Sequence, residues 1–242
     1  MESLFRYTAP PSACGYLPDQ RWSLEYEMVV NLSAMEYAER QDLGWRRFGG
    51  MLFRPRCASC QACRSLRVDV KQFKPDRSQR RAVKANLDEI EVRIGPPSVS
   101  RAKLNLYDRF HAFQTDLKGW PEHPAKDADS YRESFVHNPS FTEEWCYYLQ
   151  GRLVGVGYAD RLIDSMSAIY YFYDPDFRAR SLGTFNVMCL LNECSLREFS
   201  YLYLGYYVPG CRSLEYKGNF TPNQVRHPDG QWRDFFAETG IK

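Results

Sequence analysis

The sequence predicts an α+β protein in two parts: an N-terminal mixed α/β domain with a cysteine-rich loop, and a C-terminal antiparallel sheet with packed helices. Three observations lead there. Runs at Trp145–Gln150, Leu153–Asp160 and Ala168–Tyr173 read as a meander of strands joined by Gly151 and by Asp164-Ser165. Leu182, Phe185, Met188, Cys189 and Leu191 then recur at helical spacing and lead into a last strand, Tyr201–Val208, stopped by Pro209-Gly210. Far upstream, Cys57, Cys60 and Cys63 interrupt the most basic stretch of the chain.

Composition bounds the class. The chain has 242 residues, 44% hydrophobic and 26% charged, so a folded core is expected and disorder is not. No apolar run approaches the ~20 residues needed to span a bilayer. The start, Met1-Glu-Ser-Leu-Phe-Arg6, lacks a signal peptide's apolar region. A cytoplasmic protein without a membrane partner is expected, its 8 cysteines reduced or metal-bound rather than paired. Net charge is +2, but Trp45–Lys84 holds nine Arg and three Lys against Asp69 and Asp76, a local +10 that leaves −8 elsewhere. Such an excess points to a polyanion surface; RNA is expected, DNA is not.

Residues 1–20, with three prolines and Cys14-Gly-Tyr-Leu-Pro18, read as an extended segment. Ser33-Ala-Met-Glu36 is a capping box, and Gly44 can close the helix it opens. Trp45–Pro55 reads as a hairpin around Gly49-Gly50. Leu66, Val68 and Val70 alternate with charged residues as in a half-exposed strand, Ser78 opens a basic helix to about Asp88, and Ile90, Val92 and Ile94 form a short strand. Gly95-Pro96-Pro97 is the expected boundary, giving domains 1–96 and 97–242. A helix over 98–118 shows Leu104, Tyr107, Phe110, Phe113 and Leu117 on one face, and a short helix over 129–137 follows a Pro-rich loop. Ser181 can cap the helix before the last strand. Strands, then a helix, then a returning strand outline an N-acyltransferase-like (GNAT-like) fold.

Tyr171-Phe-Tyr-Asp-Pro175, Ser181-Leu-Gly183, Tyr203-Leu-Gly-Tyr-Tyr207, Gly210-Cys211 and Tyr216-Lys-Gly-Asn-Phe220 resemble the C-terminal domain of arginyl-tRNA–protein transferases. Arg54-Pro-Arg-Cys57-Ala-Ser-Cys60-Gln-Ala-Cys63, Arg67-Val68 and Arg77-Ser-Gln-Arg-Arg81 resemble the N-terminal domain of their bacterial branch, the aspartate/glutamate leucyltransferases. The resemblance spans roughly residues 14–222. It implies transfer of leucine from leucyl-tRNA to proteins beginning with Asp or Glu, marking them for degradation. Eukaryotic members carry a second cysteine soon after the first, where this chain has Cys14-Gly-Tyr-Leu17.

The chemistry fits the residues. An aminoacyl ester is already activated, and an N-terminal amine with an ordinary pKa of ~7.7–8.0 is a usable nucleophile. The protein must mainly position two reactants and accept one proton. Asp174 is the candidate for orienting the amine and taking that proton, or else it caps a turn before Pro175. Tyr173 and Tyr206 are candidates for bonding the ester or ribose, and Tyr207 for holding substrate. Arg180-Ser181-Leu-Gly183 lies before a helix, where amide N–H groups can meet the RNA 3′ end. Phe185 departs from the coenzyme A loop pattern. Arg54, Arg80 and Lys217, with Arg180 behind them, are candidates to read the acceptor's carboxylate; Arg80 and Arg81 are expected to hold the tRNA backbone. The chemistry requires no cofactor. Cys14, Cys57, Cys60 and Cys63 have spacing that suits zinc or an iron–sulfur cluster, or they serve as structural or redox thiols. His111, His123, His137 and His227 have no metal spacing. Competing readings are an arginyl transferase of the same fold, a coenzyme A-dependent N-acetyltransferase, and a non-enzymatic RNA-binding module.

Overall fold

The computed structural model describes residues 1–122 and 124–235, so His123 lies outside the described residues. The elements run in the order β1 (Glu2–Thr8), β2 (Ser12–Ala13), β3 (Arg21–Trp22), β4 (Leu24–Val30), α1 (Ala34–Asp42), β5 (Arg46–Phe48), β6 (Met51–Pro55) and β7 (Arg64–Asp69). Then come α2 (Arg77–Lys84), β8 (Ile90–Gly95), α3 (Arg101–Lys118), α4 (Ala128–Tyr131), β9 (Thr142–Leu149), β10 (Arg152–Arg161) and β11 (Ser165–Tyr173). Helix α5 (Leu182–Leu196), β12 (Tyr201–Tyr207), β13 (Asn223–Arg226) and β14 (Trp232–Asp234) complete the chain. No helix among the described residues is long and apolar enough to cross a membrane.

The described chain forms two compact units that interleave in sequence: residues 1–74, 161–167 and 194–235 in one, 75–122, 124–160 and 168–193 in the other. The Gly95-Pro96-Pro97 turn, read above as the boundary, falls inside the second unit. The chain crosses instead after Lys74 and three more times later, each time within a regular element, β10, β11 and α5.

In the first unit, a four-stranded antiparallel sheet has the order β1-β4-β6-β5. The capping box forms as read: the Ser33 side chain accepts from the Glu36 amide and the Glu36 side chain from the Ser33 amide. Residues 2–8 are extended as expected, and they pair with β4 as an edge strand, exposed throughout. A second set of strands runs β14-β13-β7-β12, with the start of β11 parallel to β12 over three register pairs. Gly205 interrupts the β12–β7 ladder at a bulge, with φ +86°. A side chain there would be strained, and its Cβ would meet the Lys217 amine at 3.3 Å.

The second unit holds the rest of β11 beside β10, β9 and β8. Leu106, Tyr107 and Phe110 of α3 pack with Tyr131, Phe135, Cys146, Val156, Tyr158 and Phe172. Helix α2 is capped by Asp76, two residues before the Ser78 start read from the sequence, because Gln79 completes a capping box with it. The helix read over 129–137 is α4 followed by a π-helical turn, Arg132–Val136. Ser181 adopts φ +55°, outside the extended geometry of an N-cap; it joins a 3-10 turn, Pro175–Arg180, to α5.

A buried polar chain crosses this core. Lys103 Nζ lies 2.5 Å from Glu144, Tyr158 donates to Glu144 at 2.9 Å, and the Tyr158 and Tyr131 hydroxyls are 2.7 Å apart. Both ionic side chains are 6% exposed. Removing one partner strands the other charge, so Lys103→Met is expected to cost roughly 3–5 kcal/mol in denaturant unfolding. Lys103→Met with Glu144→Leu is expected to recover part of that loss.

Candidate active site

One buried acid of the first unit gathers three arginines. Alternation along β4 turns Glu25 and Glu27 inward while Tyr26 and Met28 stay half-buried on the other face. The Glu25 carboxylate accepts from Arg54 at 2.6 Å, from Arg56 at 2.8 Å and from Arg6. Burial alone would raise its pKa. The bonds from Arg54, Arg56 and Arg6 outweigh that and hold it at about 2. Trp45, 1% exposed, carries the Arg54 guanidinium over its ring at 4.5 Å, with those of Arg6 and Arg40 at 5.4 and 5.5 Å. Arg54 is therefore fixed between an acid and an indole, and three guanidinium groups share a single negative charge.

Beside this cluster lies a cavity of about 250 Å³. Arg54, Arg56, Arg64 and Arg226 line it with Tyr206, Cys57, Cys60 and Cys63, and no Asp or Glu is among its described lining residues. Arg226 Nε donates to the Asp42 carbonyl at 2.6 Å. Burial and the nearby Arg54 charge both lower its pKa. Gly44, beside Arg226, has φ +84°, where a side chain would be strained. A concave surface lined by several cations and no acid has the character of an anion site. Tyr206, 6% exposed, donates to the Gly44 carbonyl at 2.9 Å. Lys217 Nζ donates to the Tyr206 carbonyl at 3.0 Å; burial first and Arg46 second bring its pKa down to about 7.

The cysteines gather near the same cavity as thiols. The Tyr16 and Leu17 amides donate to Cys14 Sγ at 3.4 and 3.5 Å, and Cys57 lies 3.8 Å from the Ser23 carbonyl. Burial, then the neighbouring Cys57, Cys14, Cys60 and Cys211, push the Cys63 thiol up to about 12. Among the described residues no group of three or more His, Cys, Asp or Glu is arranged to hold a metal ion. No chemical step is routed through a metal at these cysteines.

The remaining sequence candidates are placed as follows. Tyr207 sets its ring edge-on to Phe235 at 4.7 Å in the first unit. The rest belong to the second unit. Asp174 is 1% exposed; its carboxylate accepts from the Asp176 amide at 3.2 Å, from Arg109 at 3.1 Å and from Arg152. It caps the Pro175–Arg180 turn. Tyr173 packs on Phe110 at 5.1 Å and Tyr171 at 6.0 Å. Arg180 bonds the Ala85 carbonyl at 2.9 Å and Glu89 at 2.8 Å, which ties it to the end of α2. Ser181 is exposed, and nothing lies within 4 Å of a Cβ built at Gly183. Arg80 and Arg81 are exposed on α2. The structure thus brings Arg54, Tyr206, Cys57, Cys60 and Cys63 to one cavity. Arg56, Arg64 and Arg226 are cavity residues that sequence reasoning missed. The basic stretch could have drawn attention to the first two; nothing local marks Arg226.

Comparison with known proteins identifies the family. Residues 12–81 match the family described as arginine-tRNA-protein transferase, N terminus, and residues 102–227 match its C terminus. The chain belongs to the arginine-tRNA-protein transferase family. It is 37% identical over 212 residues to an aspartate/glutamate leucyltransferase of Campylobacter jejuni, covering 88% of each chain. It is 35% identical to one of Marinobacter nauticus, covering 98% of this chain and 99% of that one. Among solved structures, FemX superposes with a TM-score of 0.47 and 9% identity, over 79% of this chain and 66% of the other.

Two outcomes follow. The folded pKa of Glu25, about 2, lies below its ordinary 4.5. The stability it contributes is present above 4.5 and is lost as pH falls from there toward 2. Urea midpoints across this window are expected to fall more steeply for the natural protein than for Glu25→Gln. Asp174→Asn keeps the cap, removes the charge and turns an NH2 group toward Arg109 and Arg152 in place of the accepting oxygen. If the carboxylate anchors them, the variant loses roughly 1.5–3 kcal/mol of stability and transfer slows only slightly. A proton acceptor would instead slow transfer by roughly 10²–10⁴ at full stability.

Proposed function

We propose that the protein moves leucine from leucyl-tRNA to the N-terminal amine of proteins that begin with Asp or Glu. The observation that carries this is the cavity: four guanidinium groups, no acid, and a volume below the ~300–1,000 Å³ of small-molecule pockets, which suits one acidic side chain. Family membership and the names of its relatives support the donor and the acceptor. Charged tRNA is a cytoplasmic substrate, so the reading places the reaction there.

In the reaction, the acceptor amine attacks the leucyl ester carbonyl. An amide bond forms, the ester C–O bond breaks, and the ribose oxygen leaves as a hydroxyl; the proton lost by the amine balances the step. The acceptor carboxylate sits against Arg54 and Arg226, which sets the amine's position. Lys217, with its pKa at about 7, is suited both to carry charge and to accept a proton near neutrality. Exposed Arg80 and Arg81, with Lys84 on the same helix, supply charge for the RNA backbone.

Radiolabelled leucyl-tRNA with a peptide beginning with Asp tests the reading; arginyl-tRNA and acetyl-coenzyme A in its place test the competing ones. Only leucyl-tRNA is expected to label the peptide. Peptides beginning with Asn or Gln are expected to fail, since they offer the guanidinium groups no charge. Arg226→Ala is expected to raise KM for the Asp peptide by roughly 10–100-fold with little change in kcat, the effect of losing one bond to a charged group. An unchanged KM removes Arg226 from acceptor binding.

A further inference from the structure

The face of the small sheet opposite Glu25 is aromatic and half-open. Register pairs Tyr7 with Tyr26, and Tyr26 with Phe53, so all three lie on one side. Tyr7 and Tyr26 are stacked, 5.2 Å apart and 20° from parallel. Phe5 lies 6.0 Å from Tyr7 at the outer end; at the inner end Phe53 lies 6.4 Å from Tyr26 and 6.3 Å from Tyr206. Tyr206 lines the arginine cavity. A row of rings therefore runs from that cavity to the open edge strand. Exposure grows along it, from 6% at Tyr206 to 48% at both Phe5 and Tyr7.

Cross-strand ring pairs stabilise a sheet, which accounts for Tyr26 and Phe53. It does not account for two rings left half in water on an edge strand, where apolar side chains invite unwanted pairing. Their occupant must have flat apolar faces to continue the stack and negative charge to suit the arginines at the cavity end. Unpaired nucleotides have both: base stacking on aromatic rings is tolerant of sequence, and sheets with half-exposed rings hold two or three bases in this way.

We propose that Phe5, Tyr7 and Tyr26 form a stacking platform for the unpaired bases at the 3′ end of the RNA donor. The strand lies along the row, with its last phosphates toward the arginines at the cavity end and its terminal ester reaching the cavity at Tyr206. The proposal rests on the reading of the donor as an aminoacyl-tRNA.

The test uses the full-length protein and a short single-stranded RNA ending in CCA, compared with the same RNA made abasic. Phe5→Ala with Tyr7→Ala is expected to weaken binding of the base-bearing RNA about tenfold or more. Binding of the abasic RNA, and the salt dependence of both, are expected to stay unchanged, because no phosphate contact is lost. Tyr7→Phe keeps the ring and is expected to bind normally, whereas Tyr7→Leu is not. Circular dichroism of each variant confirms the fold. Natural affinity in the double variant, an equal loss for abasic RNA, or no binding of either RNA overturns the proposal. So does a dimer seen by sedimentation that the double variant lacks while its RNA affinity is unchanged. Leucine transfer by the natural protein is scored separately. Its absence sinks the donor reading, whereas normal transfer with unaltered RNA binding by the double variant sinks the platform alone.

Discussion

The site depends on the carboxylate of Glu25. It lies on the inward face of β4, under three guanidinium groups that would otherwise repel one another. The acid satisfies them and fixes Arg54 against Trp45, yet neutralises only one of the three charges. The surplus is what the neighbouring cavity presents. Arg226, held to the Asp42 carbonyl, adds a fourth guanidinium from a distant part of the chain. Without Glu25 the cluster would spread into solvent and lose both its geometry and its selectivity.

This electrostatic frame suits a reaction whose barrier is mostly one of placement. The ester carries its own activation, and the amine is nucleophilic near neutral pH. A protein that holds an acidic side chain at one end of a small cavity fixes where the attached amine can be. The depressed ammonium of Lys217 keeps a proton-exchanging group within the same unit, whereas burial holds the Tyr206 hydroxyl protonated and donating to the Gly44 carbonyl. In the second unit, Asp174 with Arg109 and Arg152, and the Lys103–Glu144 pair, show the other use of charge: ion pairs that fix turns and helices.

Local patterns were legible where their cause is local. The Ser33–Glu36 capping box, the hairpin around Gly49-Gly50 and the β9–β11 meander each rest on neighbours in sequence, and each is present. Part of the site was legible too: Arg54, Tyr206 and the three clustered cysteines stand in distinctive strings, and they meet at one cavity. Arg226 was not, because its place comes from a contact with Asp42 on another element. Nor were the partners of Asp174, since Arg109 and Arg152 lie 65 and 22 positions away. Ser181 looked like a cap from its residue type alone, but the preceding 3-10 turn forces it into the left-handed region. The unit boundaries were hidden because the chain crosses between units inside β10, β11 and α5, where no turn marks the change.

The claim that the arginine cavity reads the acceptor's acid is tested most directly by a crystal structure of the protein with a dipeptide beginning with Asp. The expected result is density for the dipeptide in the cavity, with its side-chain carboxylate in hydrogen-bond reach of Arg54 and Arg226 and its amine toward Tyr206. A dipeptide bound instead in the second unit, with its amine on Asp174, would contradict the claim and return the acceptor site to that carboxylate.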